Sequence, residues 1–154
     1  MKAVIQRVKE ASVTVDGVVT GAIDNGLLVY FGVGKDDEEW MVRPFLEKLV
    51  KLRIFEDENG KMNLSVDKFG SEILFVSQFT LYGDCVHGNR PGFDPAMTPE
   101  TAEKFYEKGK TILKELGYKT ECGVFGAHME VRYLNDGPIT FILDSRDMKM
   151  VGKG

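Results

Sequence analysis

The sequence predicts an α+β fold, in which residues 1–154 form a single β-rich domain of barrel-like or sandwiched sheets with about two main helices. Segments with strand character outnumber those with helical spacing, no internal repeat is present, and no linker of low complexity divides the chain. With 43% hydrophobic and 29% charged residues, the composition is close to that of soluble globular proteins. A chain of this length buries a core of its own without a disulfide or a metal.

The first third of the chain is predicted to form strands. Apolar residues alternate with polar ones over residues 12–23, on both sides of Asp16-Gly17. This dipeptide tolerates positive φ and therefore suits a tight hairpin turn. Residues 27–33 are continuously apolar, which is typical of a strand covered on both faces.

A first helix is predicted after Asp36 and Asp37, whose side chains are suited to cap its start. Apolar residues recur there at helical spacing, and they are Trp40, Phe45, Leu49 and Leu52. Pro44 removes one backbone hydrogen bond and crowds the preceding turn. A kink or a restart of the helix is therefore expected near Arg43.

The remaining elements are predicted from their apolar residues and their turns. Residues 53–56 and 62–66 are extended segments joined by a turn, and residues 72–81 form a strongly apolar strand. After a long loop, Thr98 caps a second helix that ends near Gly117. The apolar side of this helix contains Ala102, Phe105, Ile112, Leu113 and Leu116. Residues 128–144 are predicted as two strands joined at Gly137-Pro138, where base rates favour a trans peptide bond.

Charge and apolar content limit the possible partners. No stretch approaches 18 apolar residues and no secretory signal is recognisable, so a cytoplasmic protein without a membrane partner is expected. The net charge of −4 disfavours a broad nucleic-acid-binding face, and DNA is not an expected partner. A small basic patch is compatible with this net charge. Its candidate members are Arg7, Lys51, Arg53, Arg90 and Arg132.

Residues 77–80 place small polar groups at the end of an apolar strand, next to a glycine-containing loop. Such a position suits the presentation of hydroxyl and backbone N–H groups to a substrate. The alternative is that Ser77 and Thr80 only terminate the strand through local hydrogen bonds. The pattern alone favours this alternative.

Two further chemistries remain open from the residues. Cys85 lies near His87 and Cys122 near His128, so a Cys-His nucleophile is one alternative and a zinc site is another. Both signals are weak, because the spacing lacks the Cys-x2-Cys pairing of structural zinc sites. No metal and no cofactor are expected, and the cysteines are expected to be reduced thiols.

Strings distributed along the whole chain resemble the D-aminoacyl-tRNA deacylase family. The two signature motifs read Ser77-Gln78-Phe79-Thr80-Leu81-Tyr82 and Asn135-Asp136-Gly137-Pro138. They occur in the family's order, and flanking matches are found at residues 3–8, 26–29, 32–34, 52–55, 60–63, 88–91 and 125–127. The loop at residues 86–93 departs from the family in having fewer basic residues.

The resemblance implies a twofold homodimer that hydrolyses the ester between a D-amino acid, or a misplaced glycine, and the 3′ end of tRNA. In the family the Gly-Pro bond is cis and enters the pocket of the other subunit, which implies this role for Gly137 and Pro138, with Arg7 as the clamp. The backbone at Phe79 and Thr80 is implied to stabilise the developing charge. The other implied site residues hold the terminal nucleotide or line the pocket, and they are Ser77, Gln78, Ala102, Phe125 and Met129.

The resemblance leaves two mechanisms open for the chemical step. Thr80 is a nucleophile in one of them. In the other, which we favour, the 2′-hydroxyl of the terminal adenosine helps to position or activate a water molecule, because the sequence offers no base suited to deprotonate Thr80.

Overall fold

One six-stranded sheet, one two-stranded sheet and two helices form the fold in a computed structural model that describes residues 1–70 and 72–150. The strands are β1 (Lys2–Val15), β2 (Val18–Ile23), β3 (Gly26–Gly32), β4 (Phe55–Glu56), β5 (Met62–Leu64), β6 (Glu72–Ser77), β7 (Thr120–Cys122) and β8 (Glu130–Asp144). The helices are α1 (Val42–Val50) and α2 (Pro99–Glu115). In these ranges, no helix combines the length and the apolar content needed to cross a membrane.

The large sheet is organised by β1, which pairs antiparallel with β2, β3 and β8. The strand order is β2-β1-β3-β6-β7, and β6 is parallel to both of its neighbours. The two ends of this order approach each other, since a Cβ atom added at Gly21 of β2 would lie 2.7 Å from the carbonyl oxygen of Cys122 in β7. The sheet is therefore nearly closed, and the predicted β-rich, barrel-like α+β class is confirmed.

Two clusters of buried apolar side chains lie on the two sides of β3. Leu27, Val29 and Phe31 belong to the larger cluster, which also takes in the apolar faces of α1 and α2. Leu28 belongs to the smaller cluster, and Tyr30 packs against it. Successive side chains of a strand point to opposite faces. Both faces of β3 are covered, which explains why its apolar run is continuous.

The predicted hairpin turn is confirmed, because Asp16 and Gly17 have φ values of 48° and 79°. The start of the first helix is different from the prediction. Asp37 does not cap it, since its Oδ2 atom accepts the Gly34 N–H at 2.6 Å. A 3-10 turn at Glu39–Met41 precedes α1, which begins at Val42 with Pro44 in its first turn, where no intrahelical N–H bond is lost. The predicted restart near Arg43 is therefore confirmed.

The strand predicted over residues 72–81 ends earlier, at Ser77, and a 3-10 turn follows at Phe79–Tyr82. The physical reason is that its partner β3 ends at Gly32, so the ladder has no further strand to pair with. The second helix agrees with the prediction, with Thr98 at its N-cap and Gly117 just beyond its end at a φ of 89°. The strand β7 was not predicted, because three residues do not establish a period.

The two strands predicted over residues 128–144 are one strand, β8, and this prediction was wrong. Gln6 of β1 pairs with Thr140 and Val8 pairs with Asn135, so residues 136–139 stand opposite a single residue of β1. Gly137-Pro138 therefore lies in a bulge of a continuous strand. Its peptide bond is cis, the geometry that the family resemblance implies and that base rates do not.

The parallel pair of β3 and β6 gives a test of the fold. A Cβ atom at Gly26 would lie 1.9 Å from the backbone oxygen of Glu72, so Gly26→Ala must separate the two strands. We expect the free energy of unfolding to fall by more than about 2 kcal/mol, as measured by urea denaturation. Gly60→Ala is the control, since Gly60 has a φ of 71° but no atoms within 4 Å of the added carbon. A smaller effect at Gly26 than at Gly60 would contradict the close approach of the strands.

Candidate active site

A cavity of about 550 Å³ lies where the parallel strands β3 and β6 end. Parallel strands bring their carboxyl ends to the same edge of a sheet, and here β3 ends at Gly32 and β6 at Ser77. Beyond these residues the backbone leaves the ladder, so its polar groups become available to a ligand. The wall is completed by Phe79, which begins the 3-10 turn at Phe79–Tyr82, by the start of α2, and by residues 125–129 and 131.

The wall is mainly apolar, with a few polar groups near the strand ends. The apolar side chains include Phe93, Met97, Tyr106, Phe125, Met129 and Val131. The polar side chains that line the cavity include Ser77, Gln78, Thr98 and His128. An apolar cavity with a small number of polar groups on one side is typical of a site that binds and orients a small moiety.

Six of the predicted site residues line this cavity, and they are Ser77, Gln78, Phe79, Ala102, Phe125 and Met129. Thr80 directly follows Phe79, and its hydroxyl donates a hydrogen bond of 2.6 Å to Gln78 Oε1. Arg7, Gly137 and Pro138 do not line the cavity of their own chain. The first motif is therefore at the cavity, and the second is elsewhere in the same chain.

The turn at Phe79–Tyr82 presents backbone donors beside the cavity. The Gln78 N–H donates to Phe31 O at 2.8 Å. The first hydrogen bond of the turn is made by the Leu81 N–H, which donates to Gln78 O at 3.4 Å. Between them, the N–H groups of Phe79 and Thr80 have no backbone acceptor in residues 1–70 and 72–150. Two adjacent donors in this position are suited to stabilise a negatively charged oxygen.

The hydroxyl of Thr80 has a neutral partner. The amide oxygen of Gln78, which accepts its hydrogen bond, does not take up a proton at neutral pH. This pair therefore orients the Thr80 hydroxyl without activating it as a nucleophile. Phe79 itself is 56% exposed, and its ring meets that of Phe93 edge to face at a centroid distance of 5.0 Å.

Two tyrosines of the wall keep their phenolic protons. Burial raises the pKa of Tyr106 far above its ordinary value, and the hydroxyl donates to Phe75 O at 2.7 Å. Burial, with a smaller contribution from Tyr133, raises the pKa of Tyr30 to about 12. Neither phenol ionises near neutral pH, so neither contributes a charge to the cavity.

The bulge that carries Gly137-Pro138 is braced at its base. The side-chain amide of Asn135 donates to Arg7 O at 2.9 Å and to Ile139 O at 3.1 Å. The buried Arg7 side chain donates through Nη1 to Ile54 O at 2.9 Å, and its Nε lies 3.1 Å from Asp136 Oδ2. Arg7 therefore contacts the residue before Gly137, as a clamp on the bulge would.

The cysteines and histidines do not form a conventional catalytic pair in the described residues. Cys85 and His87 are exposed in the loop after the first motif. Cys122 is half-buried in β7, and burial raises the pKa of its thiol, whereas a nucleophilic thiolate needs a lowered one. In the same part of the chain, no three His, Cys, Asp or Glu side chains are grouped to hold a metal ion.

The sequence reasoning missed several residues of the cavity wall, namely Tyr30, Phe93, Met97, Tyr106 and His128. Helical spacing was a usable signal for Tyr106, because it lies four residues after Ala102 on the same face of α2. Phe93 and Met97 lie between the first motif and α2, where no period relates one side chain to the next.

Comparison with known proteins identifies a family with the same sequence features. A family model described as D-Tyr-tRNA(Tyr) deacylase matches residues 4–144. The chain is 57% identical over 145 residues to a D-aminoacyl-tRNA deacylase from Halothermothrix orenii, with 94% of this chain and 97% of the relative covered. It is 53% identical over 146 residues to a D-aminoacyl-tRNA deacylase from Thermosipho africanus, with 95% and 98% covered.

Solved structures show the same fold. A protein described as c-Myc DNA Unwinding Element Binding Protein is 44% identical, with a TM-score of 0.85 over 94% of this chain and 98% of its own. A probable eukaryotic D-amino acid tRNA deacylase is 17% identical, with a TM-score of 0.78 over 92% of this chain and 97% of its own. The second likeness concerns the fold alone.

Proposed function

The chain belongs to the D-Tyr-tRNA(Tyr) deacylase family, and on this basis we propose that it hydrolyses the ester bond of D-aminoacyl-tRNA as a proofreading enzyme of translation. The observation that carries the proposal is the position of the first motif. Residues 77–79 line the cavity, and Thr80 follows with its N–H next to that of Phe79. An ester carbonyl held there would meet two adjacent backbone donors.

The proposed reaction is a hydrolysis. A water molecule adds to the ester carbonyl carbon, the bond from that carbon to the ribose oxygen breaks, and the proton passes to the leaving oxygen. The products are the free D-amino acid and a tRNA with a free terminal hydroxyl. The negative charge that develops on the carbonyl oxygen is stabilised by the N–H groups of Phe79 and Thr80.

The proton transfers in this reaction need a group other than a side-chain base at Thr80. The hydroxyl of Thr80 donates to the neutral Gln78 amide. We therefore assign the positioning of the water to the neighbouring 2′-hydroxyl of the terminal adenosine, and the holding of the nucleotide to Ser77 and Gln78. Ala102, Phe125 and Met129 then line the space for the aminoacyl group.

Selection for D-residues is assigned to the second motif, supplied by the other subunit of a homodimer. Carbonyl groups at Gly137 and Pro138 would meet the α-amino group of a D-residue and leave an L-residue no room for its side chain. Glycine has no side chain to exclude, so glycine on a non-cognate tRNA would also be hydrolysed. The support is that neither residue lines the cavity of its own chain and that Asn135 and Arg7 contact the base of the bulge.

The surface around the bulge supports association with a second copy. Exposed apolar side chains flank it on both sides along β8, which pairs on one edge with β1. They are Tyr133, Leu134, Phe141 and Ile142, and Ile142 is 76% exposed. Among the residues that the structure describes, β8 pairs with no strand other than β1, and a long strand with a free edge and exposed apolar side chains is typical of a surface that another chain covers.

The proposed partner is the aminoacylated 3′ end of tRNA in the cytoplasm. A net charge of −4 suits an enzyme that holds a few terminal nucleotides better than one that binds a long duplex. We therefore do not extend to this chain the DNA binding that the name of one solved relative describes.

Incubation with D-tyrosyl-tRNA and with L-tyrosyl-tRNA tests the activity. We expect the D-ester to be lost about 100-fold faster or more, as measured by release of labelled amino acid, because only the D-residue fits the proposed site. Alkylation of Cys85 and Cys122 should leave this rate unchanged, whereas a Cys-His hydrolase would lose it. Binding of the tRNA end without ester loss would favour a non-catalytic binding module, and equal loss of both esters would contradict the proposal.

Thr80→Ala separates the two mechanisms. If the 2′-hydroxyl of the substrate assists the reaction, we expect kcat to remain within about 10-fold of wild type, whereas loss of a nucleophile costs about 1,000-fold or more. The matched measurement uses wild-type enzyme with a substrate that has a 2′-deoxy terminal adenosine, which should react far more slowly. Retained activity on the deoxy substrate, together with an inactive Thr80→Ala enzyme, would assign the nucleophile to Thr80.

Gly137→Ala tests the second motif. Gly137 has a φ of 122°, and an added Cβ atom would lie 2.5 Å from Ile139 Cγ1 and 2.7 Å from Ile139 N. We expect activity on D-tyrosyl-tRNA to fall by about 10-fold or more, because the carbonyl groups move. Gly88→Ala is the matched control, since Gly88 has a φ of 121° with nothing within 4 Å. Equal activities of the two variants would remove the support for the motif.

Mixing Gly137→Ala with Gln78→Ala then tests whether the motif acts across the dimer. In a mixed dimer, the intact pocket of one subunit receives the intact motif of the other. Activity should therefore recover to about a quarter of wild type after the subunits exchange. No recovery, with mixed dimers detected by mass, would mean that the motif acts within its own chain.

A further inference from the structure

The turn at Phe79–Tyr82 is supported, outside the cavity, by polar contacts around Asp37. Asp37 Oδ2 accepts the Gly34 N–H at 2.6 Å and lies 3.4 Å from the Tyr82 hydroxyl. Its Oδ1 accepts the Ser145 hydroxyl at 3.2 Å, and the α-amino group of Met1 lies 2.5 Å from Oδ2. The carboxylate, of which 8% is exposed, therefore joins the end of the turn to three other parts of the chain.

The ring of Tyr82 is packed tightly against the residues that follow β3. A Cβ atom at Gly34 would lie 2.7 Å from the ring, so no larger side chain fits without moving it. On another side, Lys2 Nζ lies 4.8 Å from the ring centroid and 3.4 Å from Leu81 O, to which it donates. The last two residues of the turn are thus fixed by direct contacts.

The protonation state of Tyr82 suits a donor to a carboxylate. Burial, followed by the charge of Asp37, raises its pKa far above the ordinary value of a tyrosine. The phenol therefore keeps its proton at neutral pH. Asp37 is the acceptor in this contact.

We propose that Asp37 is a positioning residue for the deacylation: by holding Gly34 and Tyr82, it fixes the turn that aims the Phe79 and Thr80 N–H groups at the carbonyl oxygen of the ester. This inference rests on the proposed function of the turn. Asp37 touches neither substrate nor reacting atoms, and it lies outside the residues that line the cavity. Small displacements of such donors weaken the stabilisation of the transition state more than the binding of the substrate.

Asp37→Asn tests the proposal, because it keeps the shape of the side chain and removes its charge. We expect kcat on D-tyrosyl-tRNA to fall about 10- to 100-fold with KM within about threefold of wild type. Asp36→Asn is the matched control. Asp36 is the neighbouring residue, is exposed and has no hydrogen bond or ion pair in the part of the chain that the structure describes. Its substitution should leave both constants unchanged.

Hydrogen exchange of the backbone gives a measurement that does not depend on activity. In Asp37→Asn, the amides of Leu81 and Gly83, which bond within the turn, should exchange faster than in wild type and in Asp36→Asn. Exchange and kcat that both equal those of wild type would overturn the proposal. If the wild-type enzyme had no deacylase activity but the turn exchanged faster in Asp37→Asn, the proposed function would be rejected. The role of Asp37 in supporting the turn would stand.

Gly34→Ala provides a second variant if Asp37→Asn does not fold. It leaves every charge in place and presses on the Tyr82 ring. The same fall in kcat at nearly constant KM is expected, with faster exchange at Leu81 and Gly83. A folded Gly34→Ala enzyme with wild-type kcat and wild-type exchange would overturn the proposal.

Discussion

The parallel pairing of β3 with β6 is the interaction on which the rest of the site depends. The ladder runs from Gly26 opposite Glu72 to Phe31 opposite Ser77, so both strands end at the same edge of the sheet. The segment after β3 continues to Asp37, and the segment after β6 enters the turn that carries Phe79. The cavity, its two backbone donors and the contacts that support them are therefore consequences of where one ladder stops.

Most of the fold was predictable from local signals, because these signals have a direct physical cause. Asp16-Gly17 fixed the hairpin turn, and the continuous apolar run at β3 required cover on both faces. Asp37 was misread, since an acidic residue before a helix normally caps it, whereas here its carboxylate accepts the Gly34 N–H and pairs with the α-amino group of Met1. Sequence periodicity carries no information about such a distant partner.

For the site, the local sequence patterns and the family resemblance led to different predictions. Pattern alone favoured a structural role for Ser77 and Thr80, and it favoured a trans bond before Pro138. The family motifs implied the opposite of both expectations. In the structure, the first motif lies at the cavity, and the Gly137-Pro138 bond of the second motif is cis. Tyr106 and Met97 went unnoticed, because the wall of a cavity is built from elements that only the tertiary fold brings together.

The ladder between β1 and β8 has a consequence for biosynthesis. It pairs Lys2 with Asp144 and continues to Thr14 opposite Glu130, so β1 is synthesised well before the segment with which it pairs. Until then, one edge of β1 is open, and the segment with Gly137 and Pro138 has no scaffold. Contacts so far apart in sequence form slowly, since loop closure must come first. A nascent chain of this protein thus acquires the ordered bulge at Gly137 and Pro138 only after residues 130–144 have been synthesised.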